Sequence, residues 1–288
     1  MQMIIIENEC FSVPQICESG QCFRLDPVSE DTYKLIAKDR YLKIQIQKVQ
    51  NDEKGKEKRP GSVGERTILF CTEEEYREFW EEYFDLGVRY EDYLAAVAPD
   101  DEYLQAAAGF GRGIRILRQD LWEMIITFIL SQQNNIPRIK GLIRAICERY
   151  GQKRTAADGT VYDAFPDAQS LAAATEEELR ALKLGYRSRY ICGTAAMIAD
   201  GKLDLEQIGK MEYQKAKEEL MRLPGIGGKV ADCICLFALH QMDAFPVDTH
   251  IKKVLDARYA GQFPFERYRG CAGVMQQYIF YYDLYGDA

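Results

Sequence analysis

The segment Leu223-Pro224-Gly225-Ile226-Gly227-Gly228-Lys229-Val230-Ala231-Asp232 constrains this chain more than any other. Apolar residues recur at helical spacing on both sides of it, over residues 212–221 and 229–239. A proline and three glycines therefore crowd a tight turn between two helices. Gly225 and Gly227 can take φ > 0 and let the backbone approach a ligand closely. The second helix opens with free N–H groups and the positive end of its dipole, which suits a phosphate. A helical hairpin closed by C-cap glycines satisfies the same pattern without any ligand.

Lys229 stands at the mouth of this hairpin. It reads as a second phosphate contact, as a solvated helix lysine, or as a nucleophile of the kind that desolvation or neighbouring cations activate. Nineteen residues on, Phe245-Pro246-Val247-Asp248-Thr249-His250 opens a further helix, with Asp248 where an N-cap stands. A cap alone accounts for an aspartate there. Beside a lysine it can also stabilise a developing sugar cation or help move protons.

The rest of the chain sorts into two parts. Residues 3–6, 21–25, 33–37, 41–47 and 67–70 are short runs rich in β-branched and aromatic residues, and read as strands. Residues 51–66, charged and glycine-containing, read as the loop of a hairpin. Thr72 with Glu75 and Thr175 with Glu178 have capping-box spacing. From about Gly109 the pattern is helical. Asp120 caps residues 121–131, Pro137 opens the next helix, and further helices are expected at 189–199, 212–221, 229–239, 248–257 and 267–284. The expectation is an α+β chain: a small antiparallel sheet domain with helices over residues 1–105, then an all-helical domain over 106–288 with its hairpin at about 212–240.

Composition removes several functions. Nine cysteines are scattered without a C-x-x-C pair, and the only histidines are His240 and His250. Neither a disulfide framework nor a zinc, iron–sulfur or histidine-rich metal centre is expected. No apolar run is long enough to cross a bilayer, and residues 1–7 lack a basic leader. The formal net charge of −8 hides an asymmetry. Residues 72–103 are strongly acidic, whereas Arg112, Arg115, Arg118, Arg138, Lys140, Arg144, Arg149, Lys153 and Arg154 make the following stretch basic. Nucleic-acid binding depends on the local field rather than on the total, although two solvated faces would give the same pattern.

Taken together, the L-P-G-I-G-G-K-V-A-D-C-I-C run and the later P-V-D-T-H resemble the helix-hairpin-helix DNA glycosylases, and within them the 8-oxoguanine glycosylase branch. The likeness extends over Ser19-Gly20-Gln21-Cys22-Phe23-Arg24, Leu130 through Ile139, Leu184 through Tyr190, and Ala272-Gly273 through Phe280. The absence of a C-terminal cysteine cluster separates the chain from the iron–sulfur branch. The resemblance implies a bifunctional glycosylase and AP lyase of base excision repair. Such an enzyme flips 8-oxoguanine out of duplex DNA, preferably from opposite cytosine. It implies Lys229 as nucleophile and Asp248 as catalytic carboxylate.

For the damaged base it implies a carbonyl on Gly20 that accepts from N7–H, Cys233 and Phe280 on the two ring faces, and Gln276 on the Watson–Crick edge. By their own patterns Gly20 is a turn or bulge glycine, Cys233 and Phe280 are core residues, and Gln276 is a surface helix residue. For the opposite strand the resemblance implies Arg138 and Arg187 on the orphaned cytosine and Tyr186 as a wedge. Gln133 stands where the family has a void-filling asparagine, one residue before Asn134. His250, with Gly225 and Gly227, falls on DNA phosphates. No cofactor is implied beyond a structural monovalent cation on the hairpin carbonyls. The implied partner is double-stranded DNA with an oxidised purine, bound by a monomer with no membrane. The compartment would be the cytoplasm or nucleoid of a bacterium, or the nucleus of a eukaryote. A glycosylase for alkylated purines would lack the hairpin lysine, and a purely DNA-binding module would need neither the Lys229–Asp248 pair nor Gly20, Gln276 and Phe280.

Overall fold

The computed structural model describes residues 2–49 and 64–286. Five antiparallel strands, β1 (Ile4–Ile6), β2 (Leu25–Pro27), β3 (Thr32–Ala37), β4 (Arg40–Val49) and β5 (Gly64–Phe70), form one sheet in the order β1-β5-β4-β3-β2. Period-2 alternation places one face of each strand inward. Leu35 lies opposite Leu42 and Ile44 opposite Leu69, and all four are fully buried. That face packs on Trp80 and Phe84, and on Val13 and Ile16 of helix α1 (Val13–Glu18). Of the loop expected over residues 51–66, residues 51–63 lie outside the described residues, and residues 64–66 are not loop but the start of β5, paired with Val49, Lys48 and Gln47.

A second core is mostly helical, with loop residues such as Cys10, Phe23 and Ile116 packed into it. It is built from α2 (Tyr90–Ala95), α3 (Glu102–Phe110), α4 (Leu121–Ser131), α5 (Ile136–Tyr150), α6 (Arg187–Ala199), α7 (Tyr213–Leu220), α8 (Gly228–Phe237), α9 (Thr249–Arg258) and α10 (Ala272–Tyr285). Helix α4 is buried almost all round and runs against α5, α6 and α8. Tyr90, Val97 and Leu104 belong to this core. The acidic stretch is partly spent on pinning it: Asp101 caps α3 and accepts from the hydroxyls of Tyr259 and Tyr268. Both capping boxes form, as does the Asp120 cap.

Two buried polar seams join the halves. Arg24 faces Glu123 at 3.5 Å and donates to the carbonyls of Lys38 and Asp163, while the Lys38 N–H donates to Glu123. Gln21, fully buried, accepts at its side-chain oxygen from the Leu117 N–H and at its backbone carbonyl from Gln119. This seam explains why residues 21–24 are not the strand their composition suggests. The Gln21 carbonyl and the side chains of Gln21 and Arg24 are taken across the domain junction, and strand pairing is established only from Leu25. The helix expected over 267–284 is also divided. Gly270 sits at φ +80° with its N–H on Asp243, so a short 3-10 turn (Phe265–Tyr268) precedes α10. The small hairpin β6 (Lys153–Thr155) and β7 (Val161–Asp163) had no clear signal, each strand being only three residues long.

Candidate active site and DNA-facing residues

The glycine turn is a hairpin between α7 and α8, but its two named glycines behave differently. Gly225 adopts φ +81°, and a Cβ there would lie 2.5 Å from the Tyr190 ring. Gly227 adopts φ −96° and is the N-cap of α8, so it does not use the positive φ open to a glycine. An N-cap takes extended backbone, and that alone turns the chain into the helix. Glycine keeps the approach to Gly227 open, with no atom within 4 Å of where a Cβ would stand. The N–H groups of Gly225 and Gly227 have no acceptor among the described residues. They remain available to an anion at the helix N-terminus.

Lys229 lies in the first turn of α8, exposed, with no carboxylate within ion-pair distance among the described residues. Its ammonium lies against the thiol of Cys233, one turn along the same helix. Burial pushes that thiol up to about 11, against the opposing pull of Lys229, so Cys233 stays a neutral thiol near pH 7. The carboxylates of Asp232 and, more weakly, Asp248 add to the upward push on Cys233. Asp248 caps α9 by accepting from the Ile251 N–H at 2.9 Å, and this cap fixes where its carboxylate sits.

Gly20 adopts φ +74°, and a Cβ on it would lie 3.1 Å from the Phe280 ring. Phe280 in turn meets the His250 ring edge-on at 5.9 Å. His250 is exposed and pairs through Nδ1 with Asp283 at 2.9 Å. Gln276 is 4% exposed, so the surface position suggested by its pattern is not where it lies. Its Nε2 donates to the Pro246 carbonyl, two residues before Asp248. Contacts thus link Gly20 to Phe280 and His250, Gln276 to the loop before Asp248, and Lys229 to Cys233.

A second group forms at the turn after α4. Gln133 is exposed and strained at φ +49°, whereas Asn134 turns its side chain back to the Leu130 carbonyl. Gln133 is therefore the outward amide of the pair. Arg187 is buried and donates to the carbonyls of Gln132 and Gln133, with its guanidinium 4.6 Å from the Tyr186 ring. Tyr186 is 43% exposed, and Arg138 is exposed without an ion pair among the described residues. Gln132, which its sequence did not single out, donates to the Gly225 carbonyl at 2.9 Å and ties this turn to the hairpin. Tyr190, also missed, supports Gly225 from below. The groove lined by Phe23, Arg24, Lys140 and Tyr162 contains none of these residues, so concavity alone would point elsewhere.

The hairpin carbonyls of Pro224 and Gly225 accept from Thr194 Oγ1 and Gln132 Nε2. Each keeps a second lone pair, which is compatible with a cation. Among the described residues no cluster of His, Cys, Asp or Glu could hold a metal.

The fold and the two clusters define a helix-hairpin-helix base-excision scaffold. Family models agree: residues 3–125 match the N-terminal domain of 8-oxoguanine DNA glycosylase, and residues 126–261 match the HhH-GPD superfamily of base excision DNA repair proteins. The chain belongs to the 8-oxoguanine DNA glycosylase family. The 8-oxoguanine glycosylase/lyase of Clostridium acetobutylicum, solved with double-stranded DNA containing cytosine opposite 8-oxoG, superposes with a TM-score of 0.86 at 32% identity over 99% of both chains. The N-glycosylase/DNA lyase of Saccharomyces cerevisiae is 40% identical over 159 residues, 51% of this chain and 42% of that protein. A probable N-glycosylase/DNA lyase of Methanothermobacter thermautotrophicus is 29% identical over 249 residues, 76% of this chain and 78% of that protein. The chain thus spans about two fifths of the yeast relative.

Proposed function

We propose that this protein is a bifunctional DNA glycosylase and AP lyase that excises 8-oxoguanine from duplex DNA, preferably opposite cytosine. The observation that carries the reading is Lys229: an exposed lysine at the hairpin mouth with no carboxylate partner among the described residues, on the family's nucleophile position, with Asp248 fixed as the cap of α9. The neutral amine of Lys229 attacks the sugar C1′, and the bond from C1′ to the base breaks as the base leaves with its electron pair. Asp248 stays anionic beside the developing sugar cation. Sugar-ring opening gives an imine between Lys229 and C1′. Loss of a C2′ proton then expels the 3′ phosphate and nicks the strand.

The Gly20 carbonyl accepts from N7–H, a donor that guanine lacks; toward guanine it would face a lone pair. Phe280 and Cys233 enclose the flipped ring, and Gln276 meets its Watson–Crick edge. Gln133 and Tyr186 fill the vacated stack, Arg138 and Arg187 read the orphaned cytosine, and Gly225, Gly227 and His250 take phosphates. In the free protein Arg187 spends its donors on the turn carrying Gln133, so its first contribution is to hold that turn. The chemistry needs no cofactor, and a monovalent cation at the hairpin carbonyls would be structural. The protein acts as a monomer, in the nucleoid of a bacterium or the nucleus of a eukaryote. No helix among the described residues is long and apolar enough to cross a membrane.

The test is a duplex with one 8-oxoguanine opposite cytosine, treated with borohydride. A covalent adduct that vanishes in Lys229→Gln supports the reading. Base release without an adduct would replace Lys229 by a water nucleophile. Neither adduct nor release would overturn the substrate.

A further inference from the structure

A buried chain of side-chain amides runs from the residue after Gly20 to the loop before Asp248. The Leu117 N–H donates to Gln21 Oε1 at 2.9 Å. Gln21 Nε2 donates to the Arg115 carbonyl and to Ser19 Oγ, both at 2.9 Å, and lies 3.4 Å from Gln277 Oε1. Gln277 Nε2 donates to Gln276 Oε1 at 3.1 Å, and Gln276 Nε2 donates to the Pro246 carbonyl at 3.1 Å. Gln21, Gln276 and Gln277 are 0%, 4% and 3% exposed.

The direction of this chain is decided by its ends. A backbone N–H can only donate and a backbone carbonyl can only accept. Leu117 therefore fixes the oxygen of Gln21, and Pro246 fixes the nitrogen of Gln276. Reversing Gln277 would set its NH₂ against the Gln21 NH₂ and its oxygen against the Gln276 oxygen. Either mismatch leaves buried polar groups unpaired. Gln276 then keeps one N–H and one lone pair for a ligand, in a fixed order.

That order carries chemical information. A guanine-type edge presents an acceptor at O6 beside a donor at N1–H. An adenine-type edge presents a donor at N6 beside an acceptor at N1. A primary amide pairs with either, but only after turning over. We propose that Gln277 is a positioning residue that, together with the Pro246 carbonyl, locks the amide of Gln276 in one orientation, so that the pocket takes a 6-oxopurine and rejects a 6-aminopurine. This rests on the reading above, in which Gln276 meets the flipped base.

Single-turnover excision would be measured on paired duplexes carrying 8-oxoguanine or 8-oxoadenine opposite cytosine, for wild type and for Gln277→Met, which keeps the volume and removes both hydrogen bonds. The preference for 8-oxoguanine should fall about tenfold, the equivalent of one buried hydrogen bond. Borohydride trapping on a preformed abasic site should not change. Gln277→Glu, which accepts but cannot donate to Gln276 Oε1, should lower the preference further. An unchanged ratio in folded Gln277→Met overturns the proposal. A second readout needs neither activity nor a variant that folds: hydrogen exchange at the Gln276 side-chain amide of wild type. Exchange should be at least about a hundredfold slower than at the exposed amide of Gln133, because exchange from a buried hydrogen bond requires local opening. Equal rates would overturn the lock. Failure of wild type to release 8-oxoguanine would overturn the proposed function and leave the lock to be judged by exchange.

Discussion

Two lysines of the hairpin, Lys217 and Lys229, stand in opposite electrostatic situations. Lys217 on α7 pairs with Asp232 of α8 at 2.8 Å, and the Tyr213 hydroxyl donates to the same carboxylate oxygen at 2.5 Å. Lys229, on α8 itself, has a thiol for a neighbour and no ion pair among the described residues. The first lysine staples one helix to the other. The second is held in place by the backbone of a helix terminus, with its amine uncommitted. A lysine engaged in an ion pair is a poor nucleophile, because its lone pair carries a proton that the carboxylate retains. The same residue type thus serves two purposes, and the difference lies in which carboxylate the fold brings near.

Exchanging the two lysines' fates gives the largest expected effect. Lys229→Gln should abolish the borohydride adduct, whereas Lys217→Met should retain it. Loss of the adduct in both variants would mean that the hairpin geometry, not the Lys229 amine, was being read. Next in size is Asp248→Asn. Asparagine caps a helix as well as aspartate, so the thermal midpoint should hold while the excision rate falls by about 10²–10³. A midpoint that falls in step with the rate would reduce Asp248 to a cap.

Gly225→Ala should cost about 2–3 kcal/mol in urea unfolding, from positive φ and the approach to Tyr190. Adding Tyr190→Ala should recover part of that cost, and strict additivity would refute the contact. Lys217→Met should cost about 1–3 kcal/mol, since it leaves the largely buried Asp232 without its cation.

The smallest effect concerns the far end of α8. Burial raises the Asp85 carboxyl, but His240 at 3.1 Å and Arg118 at 2.8 Å outweigh it and hold the group below its ordinary value of 3.8. A carboxyl lowered in the folded state binds fewer protons than in the unfolded one. Its contribution is therefore complete above the ordinary value and lost as pH falls through the lowered one. Stability measured by urea should fall more steeply below about pH 4 in wild type than in Asp85→Asn, and parallel curves would remove Asp85 from the account.

Elements with local causes were readable in advance. Asp120, Thr72, Thr175 and Asp248 all cap as their positions suggest, because a cap is formed within four residues. Strand pattern sufficed for β3, β4 and β5, where alternation follows one buried face. It misled at residues 21–24, whose hydrogen bonds lie across the domain junction. Composition leaves both Gly225 and Gly227 free to take φ > 0; only Gly225 does, while Gly227 as N-cap needs only extended backbone.

The sequence by itself determined the two-part α+β plan, the hairpin, and the residue types at its mouth, because periodicity, caps and glycine chemistry act over a few neighbours. Only the tertiary structure decided that Lys217 and not Lys229 receives Asp232, that Gln132 reaches the Gly225 carbonyl, and that Gln276 and Gln277 join a buried relay rather than a surface helix face. Two adjacent glutamines in the otherwise apolar run Val274–Phe280 were the one available sign. Their partners lie on elements 30 and 256 residues away in the chain, and no local pattern encodes a hydrogen bond whose other half is supplied by packing.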